Sequence, residues 1–294
     1  MDLNGDGTID VLSGSYSRKS EDMAGLFQVL FGRKGGGFGR PQPLDGSDGE
    51  PLILPKQKND QGDDGILDAI CTRPTAVDLD GDGKLDLVAG NFRGTFGFFR
   101  GGGDGDFDPK AEWLQADGKP LSVGGHGDPF FVDHDGDGDL DLWSGSEMGG
   151  VYLFENLGSK TAPKWGKRTT VCQPPRVQRV GESPRAPEFG DAHLRGPQRS
   201  TRVWLADVDG DGKLDLLVGD TLALVQAAPG VDEASARTQY AAWARRWNDL
   251  SSQPEPESRA DQRKRLAEFE ALENDRKQFT KDESTGFVWL FRGK

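Results

Sequence analysis

An all-β fold of four-stranded antiparallel blades, forming part of a β-propeller with an α-helical hairpin inserted in the last blade, is the fold class the sequence predicts. Three observations predict it. A nine-residue Asp/Gly loop recurs four times in phase, an aromatic strand-like segment follows each copy, and each repeat has room for one four-stranded sheet.

The loops align without gaps: Asp2–Asp10 (DLNGDGTID), Asp78–Asp86 (DLDGDGKLD), Asp133–Asp141 (DHDGDGDLD) and Asp207–Asp215 (DVDGDGKLD). Each is followed by a short apolar stretch ending in glycine: VLSG, LVAG, LWSG and LLVG. Strand-like runs at 74–77, 129–132 and 203–206 precede the last three loops. A second anchor then follows: GLFQVLFG (25–32), GTFGFFRG (94–101), GGVYLFEN (149–156) and GFVWLFRG (286–293). These alternate around aromatic and β-branched residues and read as strands. The first three lead through a turn into another extended run, starting near Phe38, Phe107 and Pro163.

One unit is therefore strand A, loop, strand B, turn, strand C, turn, strand D. Blades are expected over about 1–57, 70–117, 129–173 and 201–294. Strand A of the first blade and strand D of the last are missing from the pattern. The chain is thus expected to be a portion of a longer propeller, with a four-bladed or self-associating form as the alternative. Loop starts lie 76, 55 and 74 residues apart. The length differences fall in the B–C and D–A connections, which emerge on one face, where binding is expected.

The insertion at 222–285 reads as helical. Ala236, Tyr240, Trp243, Trp247 and Leu250 form a stripe at helical spacing. Prolines at 254 and 256 interrupt it, and a second helix is expected from about Ser258 to Phe279, with Leu266, Phe269, Leu272 and Phe279 inward. The two stripes are expected to cover one another as an αα-hairpin. A docking surface for a partner is the alternative.

The chain has 294 residues, a net charge of −13 and a pI near 4.8, so it repels phosphate backbones and nucleic acid is excluded as a partner. No apolar run approaches the roughly 18–20 residues of a membrane helix, so no membrane insertion is expected. Met1 runs into Asp2 with no charged or apolar leader, so this sequence shows no signal peptide. Cys71 and Cys172 leave a disulfide and two free thiols both open.

Much of the acid sits in the four loops, where carboxylates crowded within nine residues repel unless a cation neutralises them. Four divalent ions would bring the charge from −13 to −5. Positions 1, 3, 5 and 9 carry side-chain oxygens, glycine at position 6 allows a sharp turn, and position 7 can offer its carbonyl. Hard oxygen donors in a flexible cage suit Ca²⁺ over zinc or copper, and suit the octahedral demand of Mg²⁺ less well. An EF-hand would need Glu at position 12, which here is Ser13, Ala89, Ser144 and Val218. Strand-like flanks also exclude the helices of EF-hands and dockerins.

This pattern resembles the FG-GAP/VCBS repeat family, the integrin-α-like calcium-binding β-propeller common in large bacterial envelope proteins. The resemblance implies up to four Ca²⁺ ions, one in each A–B loop of the lower face, with ligand recognition on the opposite, upper face. By position, the family's metal ligands fall on Asp2, Asn4, Asp6 and Asp10; on Asp78, Asp80, Asp82 and Asp86; on Asp133, Asp135, Asp137 and Asp141; and on Asp207, Asp209, Asp211 and Asp215. Backbone oxygens would come from Thr8, Lys84, Asp139 and Lys213.

Arg73, His126, Asp128 and Arg202 lie at or just before the starts of successive A strands, where they would ring the upper mouth of the central channel as a candidate ligand site. His134, at the variable second position of the third loop, reads as a surface residue. No Ser/His/Asp arrangement, phosphate loop or zinc cluster is recognisable, so no catalytic residue is assigned. The expected function is a calcium-stabilised, non-catalytic binding or adhesion module for a protein or glycan, extracellular or in the cell envelope. The alternative is the propeller domain of a carbohydrate-active enzyme, a polysaccharide lyase or hydrolase.

Overall fold

The computed structural model describes residues 1–16, 25–56, 65–175, 186–256 and 258–293. Gln57, the expected end of the first blade, lies outside them. The chain divides into two compact units: Met1–Pro175 with Pro197–Asp220 and Val288–Lys294, and Arg176–Gly196 with Thr221–Phe287.

The first unit is four antiparallel sheets in chain order, a four-blade propeller-like arrangement. Blade 1 pairs β1 (Val11–Ser13), β2 (Gln28–Leu30) and β3 (Gln42–Pro43), with no strand A among the described residues. Blade 2 pairs β4 (Arg73–Val77), β5 (Asp86–Gly90) and β6 (Phe96–Phe99) with an outer strand at Glu112–Trp113. The sequence places that outer strand near Phe107. Instead the glycine-rich run folds on itself as a hairpin, β7 (Gly101–Gly103) with β8 (Asp106–Phe107), and the outer strand becomes β9. A further hairpin joins β10 (Gln115–Ala116) to β11 (Lys119–Pro120). Blade 3 orders β12 (Asp128–Val132), β13 (Asp141–Gly145), β14 (Val151–Phe154) and β15 (Thr169–Cys172), its outer strand starting later than Pro163. In blade 4, β16 (Arg199–Ala206) pairs with the first part of β17 (Asp215–Ala227), which also pairs with Val288–Phe291.

Strand alternation divides each blade's side chains between its two neighbours. Leu87 and Ala89 of β5 pack toward blade 1 with Phe27, Val29 and Phe99, whereas Val88 packs toward blade 3 with Phe96, Leu142 and Phe154. Trp143, Val151 and Leu153 then meet Val203, Leu205, Leu216 and Val218. The outward face of blade 4 uses the same positions but is bare. Val288 is 72% exposed where its counterparts Phe27, Phe96 and Val151 are fully buried, and Trp204, Val208 and Leu290 are exposed with it.

A glycine closes each of these seams. A Cβ on Gly14, Gly90 or Gly145 would sit 1.9, 2.0 or 2.1 Å from the carbonyl oxygen of Thr72, Gly127 or Thr201 in the next blade. Beside each contact a backbone bond crosses the seam: Thr72 N–H to Ser15 O (3.0 Å), Gly127 N–H to Asn91 O (3.1 Å) and Thr201 N–H to Ser146 O (3.0 Å). The residues just before these, Cys71, His126 and Ser200, share a left-handed backbone with φ of 55°, 45° and 51°. Both cysteines are free thiols, so the disulfide alternative is excluded.

The second unit corrects the expected insertion. Leu222–Ala227 of β17 pairs with β18 (Thr280–Thr285) as an antiparallel ribbon, and only then come α1 (Glu233–Ser251) and α2 (Arg259–Arg276). Asp232 caps α1 by accepting from Ser235 N–H at 2.9 Å, and Ser258 caps α2 by accepting from Asp261 N–H at 3.1 Å. Tyr240, Trp243, Leu250 and Leu272 form the seam with Val225. A run of rings passes from Phe189 through Tyr240, Trp243 and Trp247 to Phe269, with centroids 4.8–5.5 Å apart. Phe189 comes from the segment before blade 4, so the helices do not cover one another alone. Leu266, expected inward, is exposed, because the neighbouring Arg265 reaches the carbonyls of Leu250 (3.0 Å) and Pro254 (2.9 Å) and lies over Phe269. The remaining strand, β19 (Val288–Phe291), returns to the first unit.

The seam glycines give a direct comparison. Gly90→Ala should destabilise the blades by about 3 kcal/mol or more, since backbone must move to admit the methyl group. The nearest atom to a Cβ on Gly219, the blade 4 equivalent, is 4.0 Å away, so Gly219→Ala should stay within about 0.5 kcal/mol. Urea unfolding of both variants measures the difference, and equal losses would refute the seam.

Candidate metal centres

All four loops fold alike. The glycines at positions 4 and 6 have φ between 70° and 95° in every copy: Gly5 and Gly7, Gly81 and Gly83, Gly136 and Gly138, Gly210 and Gly212. Such a backbone is open to glycine at little cost and strains a residue with a Cβ. The double turn lets the position 1 carboxylate accept the N–H of position 6: Asp2 from Gly7 (2.9 Å), Asp78 from Gly83 (3.2 Å), Asp133 from Gly138 (3.0 Å) and Asp207 from Gly212 (2.9 Å). Positions 3 and 5 accept from the N–H two residues on, for example Asp82 N–H to Asp80 Oδ1 (3.3 Å) and Lys84 N–H to Asp82 Oδ1 (2.9 Å). Asn4 takes the same role at position 3 of the first loop, accepting from Asp6 N–H at 3.2 Å.

Carboxylate oxygens of positions 1, 3 and 5 lie within 4.8 Å of one another in Asp78/Asp80/Asp82 and in Asp133/Asp135/Asp137. In the fourth loop Asp207 and Asp209 group with Asp215 instead, leaving out Asp211. Backbone N–H groups of Thr8, Lys84, Asp139 and Lys213 donate to the position 5 carboxylates. A cation fits this donor set. All donors are hard oxygens, and Asp78 Oδ1 and Asp139 Oδ1 are buried without a hydrogen-bond partner.

Position 9 has a role that its place in the ligand pattern did not reveal. Asp10, Asp86, Asp141 and Asp215 are buried, and each ties the start of its own loop to the end of strand C. Asp10 accepts from Leu3 N–H (2.7 Å) and Gly32 N–H (2.8 Å), and Asp86 from Leu79 N–H (3.1 Å) and Gly101 N–H (2.7 Å). Asp141 accepts from His134 N–H (3.3 Å) and Asn156 N–H (2.8 Å), and Asp215 from Val208 N–H (3.2 Å) and Gly293 N–H (2.8 Å). Burial pushes the Asp86 carboxyl up even though both bonds favour its charged form. The signal was legible: this acid is flanked by apolar residues at positions 8 and 10 and begins strand B.

His134 is likewise not a surface residue. It is half-buried, its Nδ1 lies 2.5 Å from Asp141 Oδ2, and its ring packs edge-on against Trp143 at 5.5 Å. It groups with Asp135 and Asp141 as a possible nitrogen–oxygen ligand set. The sequence pattern also gave no sign of Arg100 and Arg292 at the loops. Arg100 contacts Asp80, and Arg292 lies 2.6 Å from Asp209 and 3.2 Å from Asp215.

The expected ligand-face residues come together at the starts of the A strands. Arg73 Nη1 donates to His126 O at 2.7 Å, Arg202 Nε pairs with Asp128 at 3.3 Å, and His126 Nε2 lies 3.4 Å from Glu147. Burial pushes the Asp128 carboxyl up against the pull of Arg202 and Arg73, and burial lowers His126. Burial, then the nearby Arg202 charge, lowers Arg73.

Serial antiparallel sheets, with an Asp/Gly loop before the first strand of blade 1 and between the first two strands of blades 2 to 4, define a propeller of Asp/Gly-loop repeats. Residues 78–144 and 133–218 match the FG-GAP-like repeat family, and the chain carries FG-GAP-like repeats. No curated protein matches the sequence. Among solved structures, the Photorhabdus luminescens Tc holotoxin pore aligns at 16% identity and a TM-score of 0.36. That alignment covers 70% of this chain and 8% of the toxin chain.

Positions 5 and 9 should separate in mutagenesis. Asp86→Asn puts an amide donor against a backbone donor and should cost about 2–4 kcal/mol even in chelator. Asp82→Asn keeps an acceptor for Lys84 N–H, so it should cost under about 1 kcal/mol in chelator while weakening any metal-dependent gain. Chemical denaturation with and without chelator reads both. Equal costs for the two would refute the division of labour.

Proposed function

We propose that the chain is a calcium-stabilised, non-catalytic binding or adhesion module that works outside the cell or in its envelope. The observation that carries the calcium reading is the fourfold recurrence of one glycine-hinged Asp loop, three copies of which bring three carboxylates within 4.8 Å of one another. A turn that served only to reverse the chain would not need to gather that charge. Calcium modules of the extracellular kind bind at about 10⁻⁴–10⁻³ M, which suits a calcium-rich exterior. In the loaded protein Asp78, Asp80 and Asp82, with their equivalents, would hold the ion, and the ion would relieve repulsion between them.

Recognition is proposed for the opposite ends of the blades, where Arg73, His126, Asp128 and Arg202 gather. Alternating positive and negative groups with hydrogen-bonding capacity suit a protein or glycan ligand. A glycan array and a binding screen against surface proteins, run with the parent chain and with Arg73→Ala/Arg202→Ala, test that half of the reading. Loss of every parent signal in the variant supports it.

Calcium should raise stability by about 2.7 kcal/mol per occupied site at a hundredfold excess over Kd. Thermal melts in calcium should therefore lie many degrees above melts in chelator. Coincident curves would remove calcium from the proposal.

A further inference from the structure

The four loops differ in how their charge is compensated. Arg100 and Arg292 hold the same place in strand C, the seventh residue of its eight-residue anchor. Arg100 sits on Asp80 of the second loop, and Arg292 on Asp209 and Asp215 of the fourth. Lys84 and Lys213 lie a further 3.9 Å from Asp82 and Asp211. Any cation entering these two loops competes with a resident guanidinium.

The third loop has Glu155 at the arginine's place and Asp139 where the others have Thr8, Lys84 and Lys213. Among the described residues, no Lys or Arg pairs with its carboxylates, and His134 is their one ion-pair partner. Asp139 is 5% exposed, and its Oδ1 is buried without a hydrogen-bond partner. Its neighbours along the loop are the carboxylates of Asp133, Asp135, Asp137 and Asp141. A carboxylate withdrawn from water among four like charges is costly unless a cation shares the site.

We propose that the third loop, Asp133–Asp141, is the chain's principal site for a hard divalent cation, with the buried Asp139 carboxylate adding negative charge beside the cage. This rests on the metal reading above and adds a rank order to it. The third loop fills first, the second and fourth fill only as their arginines are displaced, and the first, with Asn4 and Thr8, has the fewest charges to offer. More ligand charge and no competing cation both raise affinity.

Terbium(III), a luminescent stand-in for calcium, tests the order. Trp143 packs on His134 of this loop, and the same place in the other blades holds Leu12, Val88 and Leu217, so emission lost in Trp143→Phe reports the third loop. That emission should saturate at the lowest terbium concentration and be reversed by excess calcium. Asp139→Asn should raise its midpoint about tenfold, as expected for removing one negative charge beside the ion. Glu155→Arg, an exposed change that should not affect folding, should raise it similarly by importing the counter-ion of the other loops. Arg292→Gln should tighten a weaker class of sites in calorimetry and leave the Trp143 signal unchanged.

If terbium and calcium bind but the Trp143 signal saturates with or after the other sites, the rank order is overturned and the metal reading stands. The rank order falls in the same way if both Asp139→Asn and Glu155→Arg match the parent midpoint. If calorimetry finds no calcium or terbium bound to the parent chain, both readings fall together.

Discussion

The buried aspartate that begins each B strand is the constraint on which the blades depend. Its two oxygens accept one N–H from the loop start and one from the end of strand C, so one side chain fixes the A–B hairpin and its alignment with the third strand. A carboxylate can do this because it is acceptor-only and can satisfy two donors at once. Burial opposes its charge and pushes the Asp86 carboxyl up, whereas at Asp215 the bond from Gly293 leads the groups that hold the carboxyl below its usual range. With the hairpin fixed, the carboxylates of positions 1, 3 and 5 gather in the second and third loops, and those of positions 1, 3 and 9 in the fourth.

Stacking follows from a second constraint, the close approach of backbones at the glycine that ends strand B. Because that contact is carbonyl against Cα, blades repeat at a fixed distance whatever apolar side chains fill the gap. Phe96, Val151 and Phe27 can therefore serve interchangeably at one position, and the cores can differ in composition without changing the spacing.

The repeat, the blades and the loops were legible because glycine and aspartate at fixed offsets leave few backbone solutions. The task of position 9 was less so: its acid was counted with the other three as a ligand, and only its apolar flanks marked the further part it plays in tying the loop to strand C. Thr280–Thr285, a run of charged and hydroxyl residues, gave no strand pattern, and only its partner Leu222–Ala227 determines it as ribbon. The hairpin at Gly101–Phe107 took in Phe107, where the outer strand was expected to start, since three consecutive glycines favour a tight reversal over an extended edge. Phe189 lies outside any periodic stretch, so its place beside Tyr240 belonged to tertiary packing alone.

In blades 2 and 3 every strand pairs with one close to it in sequence, so each can zip from local contacts. Blade 4 differs. Its β17 meets β19 with Gly219 opposite Val288, closing a loop of about seventy residues. The ribbon that pairs Leu222 with Thr285 lies just inside that loop and shortens it to a few residues once formed. Formation of the ribbon would therefore bring Val288–Phe291 beside Leu216–Gly219 and lower the entropy of closing blade 4, so the place of the insertion bears on how the last sheet can assemble.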